Sequence, residues 1–137
     1  AQSRLCCPTL EMIGARALYE VDDSYFEPIK AEYQKRRDIL VESLKEMDGV
    51  FMEVPQGAFY AIAKLPVDNA EDFAIWMLKE FSHEDETVMV APAEGFYATK
   101  GLGRQEVRIA YVLKSEDLKR AMDLLAIALK EYPGRTN

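Results

Sequence analysis

Arg108 is the residue with the most chemistry to explain. It stands mid-strand in Val107-Arg108-Ile109-Ala110-Tyr111, directly after a loop that carries Gly101 and Gly103. A stiff strand can present the planar guanidinium for two parallel hydrogen bonds to a carboxylate, and sites on strands hold their geometry better than sites on loops. The competing reading puts Arg108 on a solvated strand face, paired with a nearby Glu at a worth of ~0–1 kcal/mol. Charge favours this part of the chain for an anionic ligand. Residues 50–86 hold two Lys and eight acids (2 − 8 = −6), whereas residues 87–137 hold eight basic residues and six acids (8 − 6 = +2). Chance clustering on a solvated surface gives the same pattern.

Other constellations carry less. The one histidine, His83, sits in an acidic run, so neither a Ser/His/Asp set nor a Cys/His pair nor metal-ligand spacing can be assembled. Gly101-Leu102-Gly103 supplies G-x-G, but Glu106 stands where the third glycine belongs, and a strand follows instead of a helix. Cys6 and Cys7 are adjacent, with only Arg4 nearby to stabilise a thiolate; two small buried residues before a helix are the plainer reading. Pro55-Gln56-Gly57-Ala58-Phe59-Tyr60 reads as hairpin chemistry, with Gly57 supplying the bend and the aromatics filling a sheet face.

The elements that must position these residues follow from periodicity. Leu10, Ile13, Ala17, Leu18 and Val21 recur at helical spacing and predict a first helix over 9–21. Ser24 with Glu27 reads as a capping box, or Pro28 as the first helical residue, for a long helix ending at Met47, spanning ~30 Å at ~1.5 Å per residue. Residues 50–54 and 58–63 read as a hairpin, 68–81 as a helix begun by Asp68 and Glu71, and 87–90 as a third strand. Residues 91–105 read as a long loop, 106–112 as a fourth strand, and 115 to about 132 as a last helix capped by Ser115. The expected fold is α+β: a small, mostly antiparallel sheet with helices packed on one face, preceded by a long interdomain helix.

Composition bounds the function class. The chain has 137 residues, 49% apolar and 30% charged, enough for one compact domain. A net charge of −7 disfavours nucleic acid and anionic lipid. No apolar run approaches the ~20 residues of a membrane helix. Cysteine usage fits a reducing, cytoplasmic setting, there is no signal-peptide pattern, and a start at Ala1 fits a piece of something longer.

Taken in order, these segments resemble the C-terminal part of the fold-type I, pyridoxal-phosphate-dependent aminotransferases, in the aspartate aminotransferase-like class I/II group. Gln2-Ser3 before a helix is similar to that family's Q-S-x-x-T-S segment. Pro55-x-Gly57-x-Phe59-Tyr60 is similar to its P-x-G-x-F-Y strand. Val90-Ala91-Pro92, Phe96, the glycine loop and Val107-Arg108-Ile109-Ala110-Tyr111 are similar to its V-x-P…F…G…V-R-I-x-Y/F signature. The resemblance covers almost the whole chain.

It implies that Arg108 grips the substrate α-carboxylate. It also implies that residues 1–24 belong to the large domain near a homodimer interface, and that 25–137 form the small domain that closes over the site. The partners would be an amino acid and a 2-oxo acid, with no nucleic acid or membrane. The family's T-S is Cys6-Cys7 here. The lysine that carries the cofactor, the phosphate-binding arginine, the aspartate on the pyridine nitrogen and the stacked aromatic all lie upstream of Gln2 in the family. Lys64, Lys79, Lys100 and Lys114 stand in other motif contexts. The chain is therefore expected to hold no catalytic, cofactor-binding or metal-binding residue of its own and to be inactive alone, with pyridoxal 5'-phosphate bound only in the full-length protein. Two other readings stand beside this one: a self-contained α+β interaction module, or a lyase using the same cofactor on the same scaffold.

Overall fold

In a computed structural model, residues 8–136 are described; Gln2-Ser3 and the Cys6-Cys7 pair lie outside them. The chain divides after Glu32 into two compact units.

In the first unit, Thr9–Ala15 form an α-helix (α1) and Arg16–Glu20 continue it as a 3-10 helix. The apolar set expected to line this helix is turned outward: Leu10, Ile13 and Leu18 are all exposed. The long helix α2, Phe26–Lys45, is preceded by a 3-10 turn, Asp23–Tyr25. That turn displaces the expected Ser24 cap. The Asp22 carboxylate accepts from the Ser24 amide at 2.8 Å and takes the first free N–H of the turn. The Ser24 side chain, and after it this amide hydrogen bond, hold the Asp22 carboxyl below its usual pKa.

The second unit contains the sheet. Strands β1 (Phe51–Met52), β2 (Tyr60–Lys64), β3 (Ala91–Pro92) and β4 (Glu106–Ala110) lie in the order β1-β2-β4-β3, every pair antiparallel. Helices α3 (Ala70–Lys79) and α4 (Ser115–Glu131) complete it. Period-two alternation divides the central strands. Ala61 and Ala63 of β2, with Val107 and Ile109 of β4, are buried against Leu40 and Leu44 of α2, Phe73 and Met77 of α3, and Leu118, Met122 and Leu125 of α4. Each large side chain so buried contributes on the order of 1.5–3 kcal/mol. Trp76 sits at the margin, 6.2 Å from the Phe73 ring, 5.5 Å from Phe81 and 5.3 Å from Tyr132. On the opposite face of the sheet, which carries Tyr60, Ile62 and Arg108, the side chains are at least partly open: Ile62 is 41% exposed. This is the expected α+β arrangement with helices on one face.

Three strands start later than expected, and β4 ends at Ala110, not at Val112. Only Phe51 and Met52 of the 50–54 segment pair. Strand β2 starts at Tyr60, because the backbone bend falls at Ala58 (φ +59°) and not at Gly57. Residues 87–90 make no ladder: the Thr87 hydroxyl donates to the Met77 carbonyl at 2.8 Å, which ties the segment to α3, and pairing starts at Ala91. The long loop also has structure of its own, with β3 at its start and a 3-10 turn at Glu94–Phe96.

Candidate functional site

Register determines what surrounds Arg108. It lies directly opposite Ile62 of β2 on one side and Ala91 of β3 on the other. Residues two apart on a strand share a face, so Glu106 and Ala110 flank Arg108 along β4, and Tyr60 lies diagonally across on β2. The buried partners of this alternation, Val107 and Ile109, anchor the strand in the core, and Tyr111 just beyond its end is buried as well. A half-buried guanidinium is thus carried by a strand that is fixed from behind.

Two aromatic rings meet that guanidinium. Its Cζ lies 4.6 Å from the centroid of the Tyr60 ring and 4.7 Å from that of Phe96. A cation over a ring face gains about 0.5–1 kcal/mol at an exposed site. Two such contacts offset much of the roughly 2 kcal/mol of rotamer entropy that an arginine side chain carries. Among the described residues, the Arg108 side chain has neither an ion pair nor a hydrogen bond. Its nearest acid along the strand, Glu106, accepts the Tyr97 hydroxyl at 2.5 Å. That hydrogen bond raises the Tyr97 phenol above its usual pKa, with a smaller contribution from burial.

An open depression of about 320 Å³ lies beside the guanidinium, lined by Tyr60, Met89, Val90, Ala91, Arg108 and Ala110. Its walls are apolar except for one cation and one phenol. A carboxylate fits this donor set, because the planar guanidinium fork can give it two parallel hydrogen bonds. Pyridoxal phosphate does not, because no amine and no second cation lines the depression.

Of the residues singled out in the sequence, Arg108 is central, and Tyr60 and Phe96 join it. By pattern alone Tyr60 had only a packing part, and Met89 had none. The signal for Tyr60 was the period of β2: with Ala61 and Ala63 inside, Tyr60 must share the open face. The turn at 55–60 is held by Tyr111, whose hydroxyl donates to the Ala58 carbonyl at 2.9 Å and whose amide donates to the Phe59 carbonyl at 3.0 Å. Phe59 packs 4.4 Å from the Tyr60 ring and 6.4 Å from Tyr33 of α2. The three aromatics thus run from the helix to the guanidinium.

Comparison with known proteins gives this geometry a family. The model for "Aminotransferase class I and II" matches residues 5–125. An aspartate aminotransferase of Pyrococcus horikoshii is 35% identical over 106 residues, covering 76% of this chain and 25% of that protein. An aspartate aminotransferase of Musicola paradisiaca is 30% identical over 133 residues, covering 93% of this chain and 30% of its own length. Among solved structures, an alanine aminotransferase from Pyrococcus furiosus superposes with a TM-score of 0.74 at 27% identity, over 94% of this chain and 32% of that one. The chain therefore spans a quarter to a third of the length of the relatives it matches. It belongs to the class I and II aminotransferase family.

Proposed function

We propose that this chain is the C-terminal part of a pyridoxal-phosphate-dependent aminotransferase, and that Arg108 is its substrate-binding residue, gripping the α-carboxylate of an amino acid or 2-oxo acid. The observation that carries the reading is an arginine on the open sheet face, held between two rings, beside an apolar depression, with no acid of its own among the described residues. Residues 1–24 belong, on this reading, to the large domain near a homodimer interface, and 25–137 to the small domain. The full-length protein is a cytoplasmic enzyme of amino-acid metabolism.

The division of labour follows from the chemistry of the residues present. The electron-sink chemistry belongs to the cofactor and its lysine, both outside this chain. This chain's part is orientation. A bidentate fork to the carboxylate fixes two points of a small substrate and leaves one rotation for the remaining contacts to set, and such positioning can supply several kcal/mol of a barrier. Movement of 25–137 over the substrate would expel water and strengthen the Arg108–carboxylate pair.

The test is Arg108→Ala in the full-length protein, with kcat/KM measured for an amino donor and a 2-oxo acid. A loss of about 2–5 kcal/mol of transition-state binding is expected. A kcat/KM near that of the wild type would remove Arg108 from this role. Product identification separates transfer from lyase chemistry, since only transfer yields a new amino acid from the 2-oxo acid.

A further inference from the structure

The loop before β4 carries two adjacent aromatics with different partners. Phe96 lies over the Arg108 guanidinium at 4.7 Å, and Tyr97 donates to the Glu106 carboxylate at 2.5 Å. Glu106 stands two residues before Arg108 on the same strand face, within reach of a long, flexible guanidinium. Left free, it would be an internal carboxylate competing with any external one. Phe96 is 58% exposed, so packing in the core does not account for where its ring sits. The turn that carries the pair is itself pinned: the Phe96 amide donates to the Ala93 carbonyl at 2.9 Å, and the Ala93 amide donates to the Glu106 carbonyl at 2.9 Å.

From this geometry we infer that Phe96 and Tyr97 act together as positioning residues for Arg108, Phe96 by fixing the guanidinium and Tyr97 by holding Glu106 away from it. The inference rests on the reading of Arg108 as the carboxylate-binding group. Neither aromatic needs to touch the reacting atoms. Their effect is to keep the fork pre-oriented and unpaired until a substrate carboxylate arrives, which lowers the cost of binding without adding a substrate contact.

The experiment uses the full-length enzyme loaded with its cofactor. It measures kcat and KM for the amino donor, and the inhibition constant of butanoate, a carboxylate without an amino group. Phe96→Leu is expected to raise KM and the butanoate constant about two- to fivefold with kcat nearly unchanged, as loss of one exposed cation–ring contact implies, and Phe96→Tyr to restore both. Tyr97→Phe is expected to weaken both by a similar factor, because Glu106 is released onto Arg108 as a surface ion pair. Glu106→Gln in the Tyr97→Phe background is expected to recover the loss. A merely structural part for Tyr97 predicts no recovery, since its hydrogen bond to Glu106 is already lost in Tyr97→Phe and the second substitution restores nothing. Arg108→Gln, run in parallel, separates the two ideas. If it leaves KM and the butanoate constant unchanged, the carboxylate role falls, and this inference with it. If it raises them while Phe96→Leu and Tyr97→Phe do not, or while Glu106→Gln fails to rescue Tyr97→Phe, only the positioning role is overturned.

Discussion

The hydroxyl of Tyr111 donates to the carbonyl of Ala58 at 2.9 Å, joining the chain just beyond β4 to the one bend before β2 where a residue with a side chain is forced to positive φ. Burial raises the Tyr111 phenol above its usual pKa, opposed in part by the Arg37 charge, so the hydroxyl stays a donor through the neutral range. Tyr111→Phe is expected to cost about 1 kcal/mol in urea unfolding, the worth of one hydrogen bond lost with its ring kept. Ala58→Gly is expected to gain about 0.5–1 kcal/mol, because the left-handed conformation disfavours any Cβ. The gain should persist in the double variant if strain and hydrogen bond act independently. A destabilised Ala58→Gly would show that the methyl is needed there.

A pH dependence follows from Tyr132, whose hydroxyl donates to Asp68 at 3.1 Å. Burial, then the Asp68 hydrogen bond and the charges of Asp68 and Asp72, push this phenol up from 10.0 to about 12. The folded state therefore keeps a proton that the unfolded chain loses between about pH 10 and 12. The stability linked to it is fully present below pH 10 and falls as pH rises toward 12. Unfolding midpoints measured across this window should drop for the wild type and flatten for Tyr132→Phe. A parallel decline in both would place the linkage elsewhere.

Two helix starts looked alike in sequence and differ in structure. Ser115 was the expected cap of α4, yet Lys114 holds that position with no side-chain bond, and the Ser115 Oγ is buried without a partner among the described residues. At α3 the cap is Asn69, between the two acids that the pattern pointed to, and its side chain accepts from the Glu71 amide at 2.9 Å. Asn69→Ala is expected to cost about 1 kcal/mol, and Ser115→Ala nothing or a small gain. Thermal unfolding of the two variants decides it; a loss at Ser115 as large as at Asn69 would reinstate the cap.

What was legible followed from periodicity. The long helix, the last helix and the alternation of Val107, Ile109 and Tyr111 against Arg108 all have patterns enforced by a core. What was not legible depended on single backbone angles. Glu84 (φ +56°) and Asp85 (φ +62°) make a two-residue turn between His83 and Glu86, whose amides and carbonyls exchange hydrogen bonds of 2.9 and 3.0 Å. Such turns normally announce themselves by Asn-Gly, and none is present. Arg120 supplies what the turn residues lack, meeting Glu84 at 2.6 Å and Glu86 at 2.7 Å. The site was half legible for the same reason. Arg108 has a strand position, but its two rings come from a turn and a neighbouring strand whose register no local pattern sets.

That turn gives its own prediction. Asp85→Gly removes one of the two left-handed side chains and leaves both Arg120 contacts in place, so a gain of about 0.5–1 kcal/mol is expected in urea. If stability falls instead, the Asp85 side chain makes a contribution that its geometry does not explain.

The loop carrying Phe96 and Tyr97 can be probed through its glycines. Gly101 (φ +85°) and Gly103 (φ +74°) are both left-handed, but a Cβ at Gly101 would meet nothing within 4 Å, whereas one at Gly103 would lie 2.5 Å from the Tyr97 ring. Gly101→Ala therefore pays only the backbone term, about 1 kcal/mol. Gly103→Ala adds an overlap with the Tyr97 ring and a 3.2 Å approach to the Ala93 backbone, so Tyr97 must move, and with it the hydroxyl that holds Glu106. The expected outcome is a larger loss of stability for Gly103→Ala than for Gly101→Ala. In the full-length enzyme, only Gly103→Ala should also raise KM, in the same direction as Tyr97→Phe. Equal effects of the two substitutions on both measurements would mean that the ring of Tyr97 can swing aside freely and that the loop does not hold Glu106 in place.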